Sequence, residues 1–112
     1  MTRKKILLLA RKPPGIIAQE ALDATRVGSV FEQDVSILFL DEGVLQLEQS
    51  EENPVCELVR SLPDYGIEKI YVCSQSLSAR GIPEGKLILS VTLLAPTEQS
   101  VLIGDQDVVL ND

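Results

Sequence analysis

Cys73 stands where an apolar run meets a helix-like segment, in the stretch "IEKIYVCSQSLSARG" at residues 67–81. A cysteine just before a helix meets free N–H groups and the positive end of the helix dipole, which favour the reactive thiolate. The alternative is a buried, inert strand residue, because free cysteine is among the most buried residue types. The pattern predicts a candidate thiol site at Cys73, with Ser74, Gln75 and Ser76 as binding residues and Ser74 or Ser76 as the N-cap.

Two other loops bring charged side chains to the ends of predicted strands. Arg11 and Lys12 in "RKPPG" follow the first apolar run. They either hold an anion or an acidic partner, or form a solvated turn, and the loop is too short to bind phosphate through glycines. Asp41 and Glu42 follow the second run as a carboxylate pair for acid/base chemistry, or Asp41 caps the next turn. We therefore add Arg11, Lys12 and Asp41 to the candidate binding residues.

The second cysteine, Cys56, lies beside the apolar stripe of a predicted helix, where packing on the helix flank accounts for it. The sequence has two cysteines and no histidine. It therefore lacks the commonest metal ligand and general base, and it has too few thiols for a zinc site or a disulfide framework. We expect no metal and no other cofactor.

The composition is acidic and poor in aromatic residues, with a net charge of -7 and 4% aromatics. An acidic surface repels phosphate backbones and few rings are present to stack on bases, so no direct nucleic-acid binding is expected. The longest apolar run, Ile6 to Ala10, is too short for a membrane span or a signal peptide, which predicts a cytoplasmic protein. With 112 residues, 45% of them hydrophobic, residues 1–112 are expected to form a single domain.

The elements that must position these residues alternate between apolar runs and helical patterns. Strands are predicted at "KKILLLA", "DVSILFL", "IEKIYVC", "KLILSV" and "DVVLN". Between them lie a helix from about Ile16 to Phe31, a helical turn in "VLQLEQ", and helices in "SEENPVCELVRSLPDYG", "SLSARG" and "TEQSVLIGDQ". This alternation predicts an α/β fold with a mostly parallel sheet, in which function collects at the carboxyl ends of the strands. The loops at 11–15, 41–43 and 73–76 qualify.

Several finer expectations follow from periodicity and composition. One face of the first helix would be buried, consisting of Ile17, Ala21, Ala24, Val27, Gly28 and Phe31. The helix after residue 50 would bury Val55, Leu58, Val59 and Leu62. Thr97 would cap the last helix. The apolar residues of "VLQL" (Val44, Leu45 and Leu47) and of "LILSVTLLAP" would be exposed surface for partner subunits.

At the scale of the whole chain, several motifs resemble the DsrE/DsrF-like family, especially its DsrF/TusC branch. They are "EALD" at 20–23, "EQDV" at 32–35, "FLDEGVLQL" at 39–47 and "SLSARG" after the third strand. The ending "DVVLN" is similar to the final strand of the branch. The resemblance implies a three-layer α/β/α domain with a five-stranded, mainly parallel sheet. It also implies assembly into trimers or hexamers with paralogous DsrE-like subunits or with further copies of the chain.

The resemblance further implies a sulfur-relay protein, acting in sulfur oxidation or in tRNA thiolation. Sulfur-carrying members hold a persulfide on a cysteine near the end of the third strand, where Cys73 lies. They are carriers or transferase-like proteins rather than turnover enzymes, and they work with sulfur donor and acceptor proteins. The DsrF/TusC branch generally supplies a structural partner of the carrier, so the alternative is a non-catalytic assembly subunit. A flavodoxin-like binder of small molecules is a third hypothesis, although the sequence has no phosphate loop.

Overall fold

A parallel sheet forms the centre of the computed structural model, which describes residues 3–30 and 33–112. Its strands are β1 (Lys5–Ala10), β2 (Asp34–Phe39), β3 (Lys69–Cys73), β4 (Thr92–Leu94) and β5 (Val108–Asn111). They run in the order β4-β3-β2-β1-β5, and each neighbouring pair is parallel. β1 and β2 are buried on both faces along most of their length, as continuously apolar strands of a covered parallel sheet are expected to be.

Helices cover both faces of this sheet, which confirms the predicted three-layer α/β fold. They are α1 (Ile16–Val30), α2 (Cys56–Arg60), α3 (Ser74–Ala79) and α4 (Pro96–Gly104). Short 3₁₀ helices cover Asp41–Leu47, Leu62–Tyr65 and Glu84–Lys86. Within residues 3–30 and 33–112, no helix is both long and apolar enough to cross a membrane.

The two faces of the sheet carry apolar clusters of unequal size. The larger cluster packs the sheet against α1, α2 and α3. Each helix contributes buried side chains to it, for example Leu22 of α1, Val59 of α2 and Leu77 of α3. The smaller cluster lies on the opposite face, where Leu102 of α4 packs against strand residues. Cys73 belongs to the smaller cluster, so its side chain lies on the α4 side of the sheet.

The buried face of α1 differs from the predicted one. Ala18 and Leu22 join the larger cluster, and Ala21 of the predicted stripe is partly buried against it, whereas Ile17 and Val27 of that stripe are mostly exposed. The helix carries apolar residues on two adjacent faces, so its periodicity alone could not decide which face packs on the sheet. The last residue of the predicted stripe, Phe31, lies outside the described residues.

The predicted fourth strand was misplaced. "KLILSV" does not join the sheet, and β4 begins after it. Its backbone bonds to the segment that follows the 3₁₀ helix at Asp41–Leu47. The N–H of Ile88 donates to the Leu47 carbonyl at 2.8 Å, and the N–H of Gln49 donates to the Lys86 carbonyl at 2.8 Å. The backbone groups of Lys86 and Ile88 that make these bonds are therefore not available for hydrogen bonds to a neighbouring strand of the sheet.

The 3₁₀ helix at Asp41–Leu47 confirms the predicted helical turn but not its predicted exposure. Val44 and Leu47 are fully buried in the larger cluster, and Leu45 is partly buried against it. The expectation that these residues form exposed interface surface is therefore wrong. They fill the space between the sheet and the surrounding helices.

The helix predicted after residue 50 is present but divided. α2 is followed by the separate 3₁₀ helix at Leu62–Tyr65. The predicted apolar stripe is confirmed, because Val55, Val59 and Leu62 are buried and Leu58 is partly buried against the larger cluster. This stripe fixes α2 on the face opposite to α4.

The start of α4 also differs from the prediction. Ala95 occupies the N-cap position and Pro96 is the first helical residue, so Thr97 lies inside the first turn. Proline suits the first helical position because its fixed φ matches the helix and its missing N–H would have had no partner there. The Glu98 carboxylate accepts the N–H of Ala95 at 2.9 Å, which anchors this turn.

Candidate functional site

Cys73 is both the last residue of β3 and the N-cap of α3. Its backbone is extended, with φ -70° and ψ 114°, and helical geometry begins at the next residue. The prediction that Ser74 or Ser76 caps the helix is therefore wrong, because the cysteine itself occupies that position. The predicted strand-to-helix junction is confirmed, and the thiol lies beside the unpaired N–H groups of the first helical turn.

Hydrogen-bond donors surround the thiol of Cys73. Burial alone would raise the pKa of this group, since the residue is 7% exposed and charge is costly away from water. The Ser76 hydroxyl, the Gln99 amide and the backbone N–H groups of Ser76 and Gln75 act in the opposite direction. Their combined effect exceeds that of burial and lowers the pKa of Cys73. The arrangement therefore makes the buried thiol easier to ionise than an ordinary cysteine.

The Ser76 hydroxyl is held in place from the neighbouring loop. The backbone N–H of Asp41 donates to Oγ of Ser76 at 2.9 Å, and Ser76 is itself buried. Because Oγ accepts from Asp41, the hydroxyl proton is available for the sulfur of Cys73. Asp41 has a φ of +52°, which is uncommon for a residue other than glycine. The loop after β2 thus orients a donor toward the thiol.

Gly43 allows this loop to pack closely on the end of β1. A Cβ atom at Gly43 would lie 1.7 Å from the carbonyl oxygen of Ala10 and 2.5 Å from its carbonyl carbon. The N–H of Leu40 donates to the same Ala10 oxygen at 3.1 Å. A side chain at Gly43 would therefore push the whole loop, including Asp41, away from the strand ends.

The loop that carries Arg11 and Lys12 adjoins the same edge of the sheet. Nη1 of Arg11 lies 3.4 Å from a carboxylate oxygen of Asp41, and both side chains are about half exposed. The backbone N–H groups of Arg11 and Lys12 donate to Oδ1 of Asp112 at 2.8 and 3.3 Å. The buried Gln46 amide donates to the Lys12 carbonyl at 2.9 Å. The three predicted loops are thus linked through Arg11, Asp41 and Ser76, and Lys12 takes part through its backbone.

The remaining predicted residues have different roles. Ser74 turns toward β4, and its hydroxyl donates to the Leu94 carbonyl at 3.2 Å. The side chain of Gln75 is exposed, and its contribution to the thiol is its backbone N–H. Asp41 does not cap the 3₁₀ helix, because Leu40 is the N-cap and no side chain caps it.

Gln99 is a site residue that sequence reasoning missed. It lies on α4, and its Nε2 donates to the Leu94 carbonyl at 3.1 Å. Leu94 is the partner of Cys73 in the pairing of β3 with β4, which brings α4 next to the thiol. No local sequence signal could identify Gln99, because its proximity depends on the position of β4, which the apolar pattern misplaced.

Cys56 has different surroundings. It is the first residue of α2, partly buried, and its Sγ lies 3.6 Å from Nη2 of Arg60. Both residues line an open cleft of about 480 Å³. Among residues 3–30 and 33–112, no group of three or more cysteine or acidic side chains is arranged to hold a metal ion.

Comparison with known proteins gives consistent matches over most of the chain. The model of the DsrE/DsrF-like family matches residues 4–111. The intracellular sulfur oxidation protein DsrF of Allochromatium vinosum is 40% identical over 93 residues, covering 76% of this chain and 68% of that protein. A TusC homolog from Pseudomonas aeruginosa is 33% identical over 99 residues, covering 81% of this chain and 83% of that protein.

Among solved structures, the ychN protein from E. coli superimposes with a TM-score of 0.80. The match covers 97% of this chain and 99% of that one, at 19% sequence identity. At that level of identity the likeness concerns the fold, and it agrees with the parallel sheet and flanking helices described above.

Proposed function

This chain belongs to the DsrE/DsrF-like family, and on that premise we propose that it is a subunit of a sulfur-relay complex in which Cys73 carries the sulfur. The observation that carries the proposal is the convergence of donors from two helices on one thiol. Burial by itself would favour the neutral thiol, yet the donors lower the pKa of Cys73. A cysteine that only filled space at the end of a strand would not need these hydrogen-bond donors.

The proposed reaction is the transfer of one sulfane sulfur from a protein persulfide. The Cys73 thiolate attacks the terminal sulfur of the donor persulfide, so that a new S–S bond forms at Cys73 as the S–S bond of the donor breaks. The inner sulfur of the donor leaves as a thiolate with the electron pair of the broken bond. The proton of the terminal sulfur stays with that sulfur. No net oxidation occurs, and an acceptor thiolate repeats the step to unload Cys73.

Ser76, Gln75 and Arg11 have separate roles in this proposal. The Ser76 hydroxyl and the Gln75 N–H stabilise the charged sulfur before attack and after unloading. Arg11 and Lys12 present exposed positive charge at the same edge of the sheet, where they would attract an acidic surface of a donor protein. Asp41 holds Arg11 and Ser76 in place.

The partners we propose are paralogous DsrE-like subunits or further copies of this chain, together with donor and acceptor proteins. One candidate process is intracellular sulfur oxidation, which the DsrF relative supports by its name. The other is a relay to tRNA thiolation, which the TusC homolog supports. We propose a cytoplasmic location, because both cysteines are free thiols and such compartments keep thiols reduced.

A second candidate function is that of a non-catalytic assembly subunit. The observation that favours it is the burial of Cys73, which is 7% exposed, since access limits exchange chemistry as much as thiolate fraction does. In that case Cys73 completes the smaller apolar cluster, and the chain positions the cysteine of another subunit.

Loading with a polysulfide, followed by intact-mass measurement, tests the two candidates. We expect the wild type and Cys56→Ser to gain the mass of one sulfur atom that a reductant removes, and Cys73→Ser to gain none. Cys56→Ser is the matched control because it removes the other thiol of the chain. If Cys73 stays unmodified while an established persulfide carrier is loaded in parallel, the carrier role is wrong and the assembly role replaces it.

A further inference from the structure

The first turn of α4 is fixed against the strand end that carries Cys73. Leu94 pairs with Cys73 across β3 and β4, and α4 begins two residues later. The Leu94 carbonyl accepts two side-chain hydrogen bonds, from Oγ of Ser74 at 3.2 Å and from Nε2 of Gln99 at 3.1 Å. One carbonyl therefore joins the start of α3 to the start of α4, directly beside the thiol.

The Gln99 side chain is held by a well-anchored turn. Its own backbone N–H donates to the Ala95 carbonyl at 3.0 Å, and the Ala95 N–H donates to Glu98 at 2.9 Å. Pro96 restricts the backbone at the first helical position. Because the turn is rigid, little conformational freedom is lost when the amide contacts a neighbouring group.

A primary amide has two N–H donors in a fixed plane. At Gln99 one of them is used by the Leu94 carbonyl at 3.1 Å. Leu94 is the β4 residue that pairs with Cys73, so this bond places the amide beside the end of β3, where hydrogen bonding from Gln99 contributes to the lowered pKa of Cys73. The same side chain thus bonds to the backbone of β4 and lies next to the thiol that ends β3.

We infer that Gln99 is a positioning residue for the sulfur chemistry of Cys73, whose amide holds the thiolate against the end of β4. The inference rests on the proposed function and adds α4 to the site. Donors from α3 approach the sulfur from its own helix, whereas Gln99 approaches from an element that meets Cys73 only through tertiary packing. Loss of the Gln99 amide reduces the fraction of Cys73 present as thiolate near neutral pH.

The pH profile of alkylation measures that fraction directly. In a Cys56→Ser background, iodoacetamide reacts at Cys73 alone. We expect Gln99→Leu to slow this reaction about tenfold near neutral pH, because one hydrogen bond to a charged group is lost. The reaction should recover at high pH, where the thiol is ionised in any case. A purely structural role would not produce recovery at high pH.

Gln106→Leu is the matched control. The Gln106 amide also donates to a backbone carbonyl, that of Leu102, at 3.1 Å, but it lies beyond the far end of α4. We expect its profile to follow that of the parent. Gln99→Glu keeps the length of the side chain and replaces the donor with a carboxylate, so its profile should move further toward high pH. If the folded Gln99→Leu and Gln99→Glu variants both keep the parent profile, the inference is overturned.

Sulfur loading of the same variants separates this inference from the proposed function. A parent that takes up sulfur, with a profile insensitive to Gln99, overturns the role of Gln99 and leaves Cys73 as the carrier. A parent that takes up no sulfur, with a profile that moves in Gln99→Leu, overturns the carrier role and supports the contact between Gln99 and the thiolate.

Discussion

Two cysteines lie at helix starts in this protein, and their surroundings differ in origin. Cys56 is the first residue of α2, and its side-chain neighbour Arg60 lies one turn further along the same helix. Cys73 is the N-cap of α3, and its side-chain donors come from Ser76 on α3 and from Gln99 on α4. Local geometry thus accounts for the contacts of Cys56, whereas the site at Cys73 needs distant segments to meet.

The two cysteines also have different kinds of hydrogen-bond donor beside them. Arg60 offers Cys56 a positive charge, but its guanidinium is exposed and already paired with Glu57. Water screens such a charge strongly. Cys73 has neutral donors in a largely water-free setting, where hydrogen bonds are stronger and an unpaired polar group is costly. A thiol site built by tertiary packing should therefore be more sensitive to substitutions in its supporting elements.

The largest effect is expected at Gly43, where the loop after β2 packs closely against the end of β1. This packing supports the site at Cys73. Gly43→Ala places a methyl group into the Ala10 carbonyl. We expect the free energy of unfolding to fall by about 3 kcal/mol or more, because backbone atoms must move to relieve the overlap. Urea denaturation measures this change in the free energy of unfolding. Gly85→Ala is the control, since Gly85 also lies in a 3₁₀ helix and has open space around its Cβ position. Equal losses in the two variants would contradict the packing argument.

The next effect tests the hydroxyl donor that α3 supplies to the thiol. Ser76→Ala removes the hydroxyl that acts on Cys73 and leaves the Asp41 N–H without its acceptor. We expect a stability loss of about 1–2 kcal/mol and a slower alkylation of Cys73 near neutral pH. Ser78→Ala on the exposed side of α3 should change neither quantity. Unaltered Cys73 reactivity in a folded Ser76→Ala protein would show that the hydroxyl does not stabilise the thiolate.

A smaller effect concerns the pH dependence of stability. Because the pKa of Cys73 is lowered on folding, the folded state loses this proton at a lower pH than the unfolded state does. The stabilisation is complete above the ordinary thiol pKa and is lost as pH falls through the lowered one. The stability of wild type relative to Cys73→Ser should therefore increase with pH in that interval, as urea denaturation at several pH values would measure. If the stability difference between the wild type and Cys73→Ser stayed constant with pH, the expected effect of the lowered pKa would be refuted.

The smallest effect is expected on the Cys56 side. Arg60→Gln removes the guanidinium near Cys56 and the exposed pair with Glu57. Exposed pairs of this kind contribute little, so we expect no measurable change in the unfolding midpoint or in the alkylation of Cys73. A clear change at Cys73 would mean that the two thiol neighbourhoods are coupled across the sheet, which would remove the basis of the comparison.

The amino-acid sequence by itself determined the alternation of strands and helices and the junction at Cys73. Continuous apolar runs identify β1, β2 and β3, because strands covered on both faces need such runs. The short helix after Cys73 follows from its local pattern. Since parallel strands end at one edge, the sequence also placed the loops of Arg11, Asp41 and Ser76 together.

Only the tertiary structure decided which surfaces meet. α1 packs through Ala18 and Leu22 rather than through the face that includes Ile17 and Val27. Periodicity reports that a helix is amphipathic, but the free energy gained depends on what each face contacts.

The same reason applies to the site. The segment before β4 bonds with the loop after Leu47 and shifts the strand to Thr92–Leu94. That shift sets the start of α4 and brings Gln99 to Cys73. Propensity and hydrophobic pattern act over a few neighbouring residues, whereas these contacts join distant segments of the chain. A sequence can therefore indicate that Cys73 ends a strand, but the donors that tune its thiol become defined only when the sheet and α4 have packed together.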